Sequence, residues 1–218
     1  MGVYPVQIDL ATVQLLQSRL FHDLIGAASA IGTGLEFMAD DAADGAALGL
    51  VQQSADRLTR RLDFYRAAYG LGGGRQGNLS LEDAVTLSDA WYADAKAALT
   101  WPSADVRAAL GSVPPMTLKV LMIMTVLAEE CLPRGGEVTV QLSRLPEGMG
   151  MAVIAAGTGA RPPDGVLGAL AVDEPAEPLS ARSVVAFFAA CLAGQQGGRI
   201  EAAAGADTVE FATLMPAL

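Results

Sequence analysis

DLATVQLLQSRLFHDLIGAASAIGTGLEFM, residues 9–38, decides the architecture of the N-terminal part of the chain. Apolar residues recur at Leu10, Val13, Leu16, Leu20, Leu24, Ala27, Ile31, Leu35 and Met38, spaced by three and four, which is the stripe of a long amphipathic helix. Asp9 stands just before the stripe with a side chain suited to accept a free backbone amide, so it is the expected N-cap. Asp40, Asp41, Asp44 and Gly45 interrupt the pattern, and a second stripe runs through Leu48, Val51, Ala55, Leu58, Leu62, Tyr65 and Tyr69. The two stripes predict a helical hairpin. Two helices share too narrow a seam to form a good core alone, so the hairpin is expected to complete a four-helix bundle with a second copy, as a homodimer.

Beyond Tyr69 the run GLGGGRQG, residues 70–77, has no periodicity and marks a linker. The expected domains are therefore the helical hairpin, residues 1–72, and a second domain, residues 73–218. Within the latter the pattern predicts a helix over 80–94 capped by Ser80 with Asp83 three residues on, and a short strand ending near Trp101. A helix over 115–132, a Pro-Arg-Gly-Gly turn at 133–136 and strands over 138–142 and 150–156 follow. A helix over 180–194 and strands over 199–203 and 208–214 close the chain. The fold class is α+β: a helical hairpin forming a dimeric four-helix bundle, then an α/β sandwich with mainly antiparallel pairing.

Composition narrows the function. Of 218 residues 52% are apolar and 17% charged, enough to bury a sizeable core. A net charge of −10 argues against partners that are nucleic acid or anionic membrane. The longest apolar runs, 120–128 and 184–193, are about half of what a membrane span requires and read as core helices. No basic segment followed by an apolar stretch and a cleavage site opens the chain, and Cys131 and Cys191 lack metal-ligand spacing. A cytoplasmic protein with packed thiols is expected.

His22 is the only histidine. It lies two residues from both Leu20 and Leu24, so at about 100° per residue it points away from the buried seam and should face solvent. Ser18, Arg19, Ile25, Gly26 and Ser29 share that face, and most are small, so another protein can approach the imidazole. Counting back from the hairpin turn brings Arg60, Arg61 and Asp63 level with it, where guanidinium groups would neutralise a phosphoryl group. A neutral imidazole nitrogen can attack an aspartyl phosphate in line and give a labile phosphoramidate, with Asp23 orienting the ring or handling its proton. Spacing alone does not separate this reading from an inert surface histidine.

The run RLFHDLIGAASAIGTGLE, residues 19–36, resembles the phosphoacceptor helix of the ChpT-type histidine phosphotransferases of alphaproteobacteria. The resemblance covers essentially the whole chain. It implies a hairpin that dimerises as in histidine kinases, phosphorylation of His22, Asp23 as its acidic neighbour, Arg19 as the basic residue one turn before, and a degenerate kinase-like ATPase domain. The expected partners are the receiver domain of a hybrid histidine kinase and downstream response regulators. Phe21, Ile25 and the small residues around them would form the docking strip. The chain departs from the family run at Gly26 and Ala27, where serine and proline are usual, and at Thr33, where asparagine is usual. In histidine kinases a polar side chain four residues after the histidine holds the water that dephosphorylates a receiver. Gly26 offers none, so weak phosphatase action is expected; losing the proline should leave the helix straighter.

The order of elements in the second domain resembles the Bergerat ATPase fold, but its nucleotide motifs are missing. The helix that should carry a magnesium-holding asparagine reads LMIMTVLAEE, residues 121–130. Where active kinases have Asp-x-Gly-x-Gly, this chain has Ala155 before Gly157 and Gly159, and a methyl group cannot accept the adenine amino hydrogen. Glu129 and Glu130, near a helix end, read as solvated rather than as metal ligands, and the short glycine pattern is a weak phosphate-loop signal. Trp91, Tyr92 and Trp101 read as packing. No cofactor or metal of its own is therefore expected, magnesium being supplied by the partner receivers. The function expected is a phosphotransferase working through phosphohistidine; the alternatives are an ATP-dependent histidine kinase and a non-catalytic dimeric adaptor for response regulators.

Overall fold

The first stripe folds as α1 (Leu10–Asp40) in a computed structural model that describes residues 8–40, 45–71, 79–172 and 178–217. Asp9 caps it: its Oδ1 accepts the Thr12 amide at 2.7 Å. The helix is about 46 Å long and runs unbroken through Gly26 and Ala27. The second stripe folds as α2 (Gly45–Tyr69). Close approach of the two helices depends on Gly34, where a Cβ would stand 2.6 Å from Val51 Cγ2 and 3.2 Å from the Ala47 carbonyl oxygen. The expected turn at Asp41 and Asp44, and the expected domain boundary at 72/73, lie outside the described residues.

The rest of the chain forms α3 (Leu81–Tyr92), β1 (Ala97–Thr100), α4 (Ala104–Ala109), α5 (Pro115–Glu130), β2 (Gly136–Leu145), β3 (Gly148–Ala156), α6 (Val166–Ala169), α7 (Val184–Gln195), β4 (Ile200–Ala204) and β5 (Thr208–Pro216). The α+β class and the mainly antiparallel sheet are as the sequence predicts. The strand order is β1-β2-β3-β5-β4. β1 and β2 pair in parallel because α4 and α5 carry the chain across between them, and the remaining pairs are antiparallel. Along β5, Val209, Phe211, Thr213 and Met215 are buried while the residues between them are not, so one face of the sheet meets the core. Against that face lies α5, whose residues 117–128 are all buried, as befits a helix apolar on every side.

Three details differ from expectation. α4 and α6 were not foreseen, each being too short to show a period. α7 starts at Val184 rather than Ser180, because Ser180 and Ser183 engage each other in a turn: Ser183 Oγ accepts the Ser180 amide at 2.9 Å.

The base of the hairpin shares the core of the second domain. Phe64, Tyr65, Ala67 and Ala68 of α2 are buried within it, and Leu16, Leu20 and Leu24 of α1 pack on its edge. Phe64 lies 4.6 Å, centroid to centroid, from Trp91 of α3, and Tyr69 stacks on Phe188 of α7 at 5.4 Å. The buried Lys119 of α5 donates to the Gly70 carbonyl at the end of α2. Other apolar residues along the hairpin are left uncovered: Leu10, Val13, Leu35, Leu48 and Leu62 are exposed on the single chain.

Candidate functional site

α1 presents His22 outward, as its place off the apolar stripe requires, with 85% of the side chain accessible. Phe21 and Ile25 flank it and are themselves exposed, at 58% and 61%. Gly26 leaves the space one turn beyond it open: a Cβ there meets no atom within 4 Å. The imidazole thus stands beside a small apolar strip with room for another protein surface.

On the inner side of His22 lies Asp23, whose Oδ1 is 3.7 Å from His22 Nδ1. Its other oxygen, Oδ2, accepts the Tyr65 hydroxyl of α2 at 2.8 Å and lies 3.6 Å from Arg19 Nη2. Arg19, one turn before His22, is engaged mainly elsewhere: its Nη2 donates to Glu130 Oε1 at 2.6 Å, joining α1 to the end of α5. Burial works against the Arg19 guanidinium, but the Glu130 and Asp23 carboxylates outweigh it and hold its pKa above the ordinary value. For Glu130 the balance is reversed. Burial pushes its carboxyl up to about 7, with Arg19 opposing.

Glu129 and Glu130 are therefore not the solvated pair that their position predicts. Both are partly buried, because the base of the hairpin docks over the end of α5. Glu129 Oε2 accepts the Trp91 indole N–H at 2.7 Å. Trp91 and Tyr92 are buried, as expected, the Tyr92 hydroxyl donating to the Thr125 carbonyl at 2.6 Å; Trp101 is half-buried with its indole on Asp89 at 3.0 Å.

The arginines placed level with His22 have other partners. Arg60 Nη2 donates to Asp94 at 2.5 Å, just beyond α3. The Arg61 guanidinium lies over the Trp91 ring, 3.4 Å from its centroid. Burial lowers its pKa, with Glu129, Tyr65 and Asp23 acting in the opposite sense. Asp63 pairs with Arg66 one turn along α2 at 2.8 Å. These contacts join the hairpin to α3, or α2 to itself, and it is with these partners that Arg60, Arg61 and Asp63 are engaged. Arg61 still lines, with Arg19, Asp23, Arg57, Trp91, Glu129 and Glu130, a recess of about 190 Å³ behind the histidine. A wider groove of about 340 Å³ leads from Arg19 and Glu130 past Pro133 to residues 161–164 and Arg182.

Sequence reasoning missed Tyr65 and Glu130. Tyr65 falls on the apolar stripe of α2 and reads as core, although counting one further turn from the hairpin tip would have brought it opposite Asp23. Glu130 is 111 residues from its partner Arg19, and no local signal connects them. In the second domain, Ala155 is fully buried in β3. The glycine loop after it is tied down internally: Gly157 N–H donates to the Asp207 carbonyl at 3.0 Å and Gly159 N–H to Asp207 Oδ1 at 2.7 Å. Both amides are thus engaged with Asp207.

Against known proteins, the profile described as histidine phosphotransferase C-terminal domain matches residues 81–208. Protein phosphotransferase ChpT of Brucella abortus (strain 2308) is 30% identical over 197 residues, covering 90% of this chain and 92% of its own length. A solved structure described as a bacterial phosphotransferase at 1.7 Å superposes with a TM-score of 0.80 at 29% identity, covering 96% of this chain and 98% of its own.

Proposed function

Since the chain belongs to the ChpT-type histidine phosphotransferases, we propose that His22 is its phosphoacceptor, charged by the aspartyl phosphate of one receiver domain and discharged to the aspartate of another. The observation that carries this is the chain's single histidine, standing exposed on α1 with a carboxylate oxygen 3.7 Å from one ring nitrogen and an open apolar strip beside it. Asp23 lies toward Nδ1, which leaves Nε2 for the phosphorus. As Nε2 attacks in line, the N–P bond forms and the bond from phosphorus to the receiver's carboxylate oxygen breaks. The aspartate leaves as a carboxylate, and Asp23 steadies the positive charge that develops on the ring. Transfer onward is the same step in reverse, on a second receiver.

The donor is proposed to be a hybrid kinase's receiver and the acceptors to be response regulators, docked over Phe21, Ile25 and Gly26, with the magnesium that the step requires held by the receivers. The chain would work as a homodimer through the apolar residues that the hairpin leaves exposed. The second domain serves as a platform without ATP chemistry, a reading supported by Ala155 and by the Asp207 contacts of the glycine loop.

The test is to incubate the protein with a phosphorylated receiver and follow acid-labile phosphate on it. Labelling is expected to vanish in His22→Ala; label that persists there overturns the assignment. Saturable magnesium-dependent ATP binding in the micromolar range would overturn the reading of the second domain.

A further inference from the structure

Asp23 has two oxygens with different surroundings. Oδ2 accepts the Tyr65 hydroxyl at 2.8 Å and faces Arg19 at 3.6 Å, whereas Oδ1 is directed to His22 Nδ1 at 3.7 Å. A carboxylate on a two-bond side chain rotates unless something holds it. Arg19 is a poor holder, since its shortest contact is to Glu130 at 2.6 Å. Tyr65 is a good one. It is 8% exposed, and its ring is wedged by Tyr69 at 5.6 Å and Trp91 at 5.5 Å between centroids. Tyr69 in turn stacks on Phe188 of α7. Burial, followed by the negative charge of Asp23, keeps the Tyr65 phenol protonated well above its ordinary range, so it remains a donor at every working pH.

We propose that Tyr65 is a positioning residue for phosphotransfer: by holding Oδ2 of Asp23 it turns Oδ1 to His22 Nδ1, favours the tautomer protonated there, and leaves Nε2 as the nucleophile. This rests on His22 being the phosphoacceptor. It makes the second domain a structural partner in the chemistry, because the aromatic residues that fix Tyr65 come from α3 and α7 as well as from α2. Tyr65 need not touch the phosphoryl group.

Tyr65→Phe removes one oxygen and keeps the ring and its packing. The sole histidine makes the imidazole nitrogens directly assignable by ¹⁵N NMR, without any phosphate present. At a pH where the ring is neutral, the wild type is expected to hold the hydrogen mainly on Nδ1, and in Tyr65→Phe that share shifts toward Nε2. Phosphoryl acceptance at saturating phosphorylated receiver is expected to fall about tenfold, the worth of one charge-assisted hydrogen bond, while the apparent KM for the receiver stays unchanged. In the Asp23→Asn background, Tyr65→Phe is expected to have no further effect on the rate, since its route to the ring is gone.

An unchanged tautomer balance in Tyr65→Phe overturns the proposal, as does an equal loss of rate with and without Asp23→Asn, or a loss that falls wholly on KM. Should His22→Ala still be labelled, the phosphoacceptor reading fails on its own, whereas the tautomer measurement answers for Tyr65 separately.

Discussion

Gly26 lies one turn after His22, and its missing side chain leaves open space. With a receiver docked over His22 as proposed, Gly26→Asn would bring an amide, without a clash, to the place from which a water could be held for attack on the receiver's acyl phosphate. Hydrolysis of the phosphorylated receiver is expected to rise about tenfold or more, read as inorganic phosphate released in the presence of the His22→Ala, Gly26→Asn double variant, so that transfer does not contribute. Glu130 makes a second expectation. Its folded-state pKa of about 7 lies above the 4.5 of the free side chain, so between these values the folded chain binds more protons than the unfolded one. Its contribution to stability is full below about 4.5 and is lost as pH rises through about 7. Relative to Glu130→Gln, the wild type should therefore lose melting temperature as pH rises through that window. A difference that does not change with pH would count against the shift. Neither Glu130 nor Tyr65 was legible as part of the site, for opposite reasons. A carboxylate near a helix end reads as solvated unless a distant segment covers it, and a tyrosine on an apolar stripe reads as core, which its ring is. His22, Asp23, Phe21 and Ile25 were legible because their placement follows from the period of a single helix.

Between elements, the tightest constraint is the seam of α1 and α2 at Gly34. Gly34→Val would drive its branches into Val51 and the Ala47 carbonyl, the latter being backbone that cannot swing aside. The expected cost is about 1–3 kcal/mol, measured by urea denaturation, while Gly32→Ala, in open space two residues away, should be neutral or stabilising. Helices whose ends carry side-chain chemistry were read well. Asp9 caps α1, and Ser80 with Asp83 forms a reciprocal capping box. The strands were also read well, since alternation on a sheet covered on one face is a strong signal. What did not show was how the hairpin meets the second domain. The contacts that decide this, Arg19 with Glu130, Arg60 with Asp94 and Arg61 with Trp91, join charges and a ring from separate segments, and each of those residues alone looks like ordinary surface or core.

Over the whole molecule, the exposed leucines at 48 and 62 lie two heptads apart on α2, with Ala55 midway between them, and Val13 and Leu35 of α1 are also exposed. A second hairpin packed over these side chains would bury what one chain leaves open. Sedimentation equilibrium of the wild type at micromolar concentration is expected to give twice the mass of one chain, and Leu48→Glu with Leu62→Glu to give the single-chain mass. A wild type that sediments as one chain overturns the dimer. The long stripes of α1 and α2 were legible in the sequence, but not the common core that Phe64, Tyr65 and Ala68 share with α3 and α5. That shared core leaves the molecule with a built-in optical reporter. Of the two tryptophans, Trp91 is buried at the junction with a guanidinium over its ring and a carboxylate on its indole N–H. Both charges act on the excited indole, and the guanidinium arrives on α2 and is withdrawn with it. Intrinsic fluorescence, recorded in Trp101→Phe to leave one emitter, will therefore register whether the hairpin is seated on its platform while a receiver binds, with no label attached to either protein.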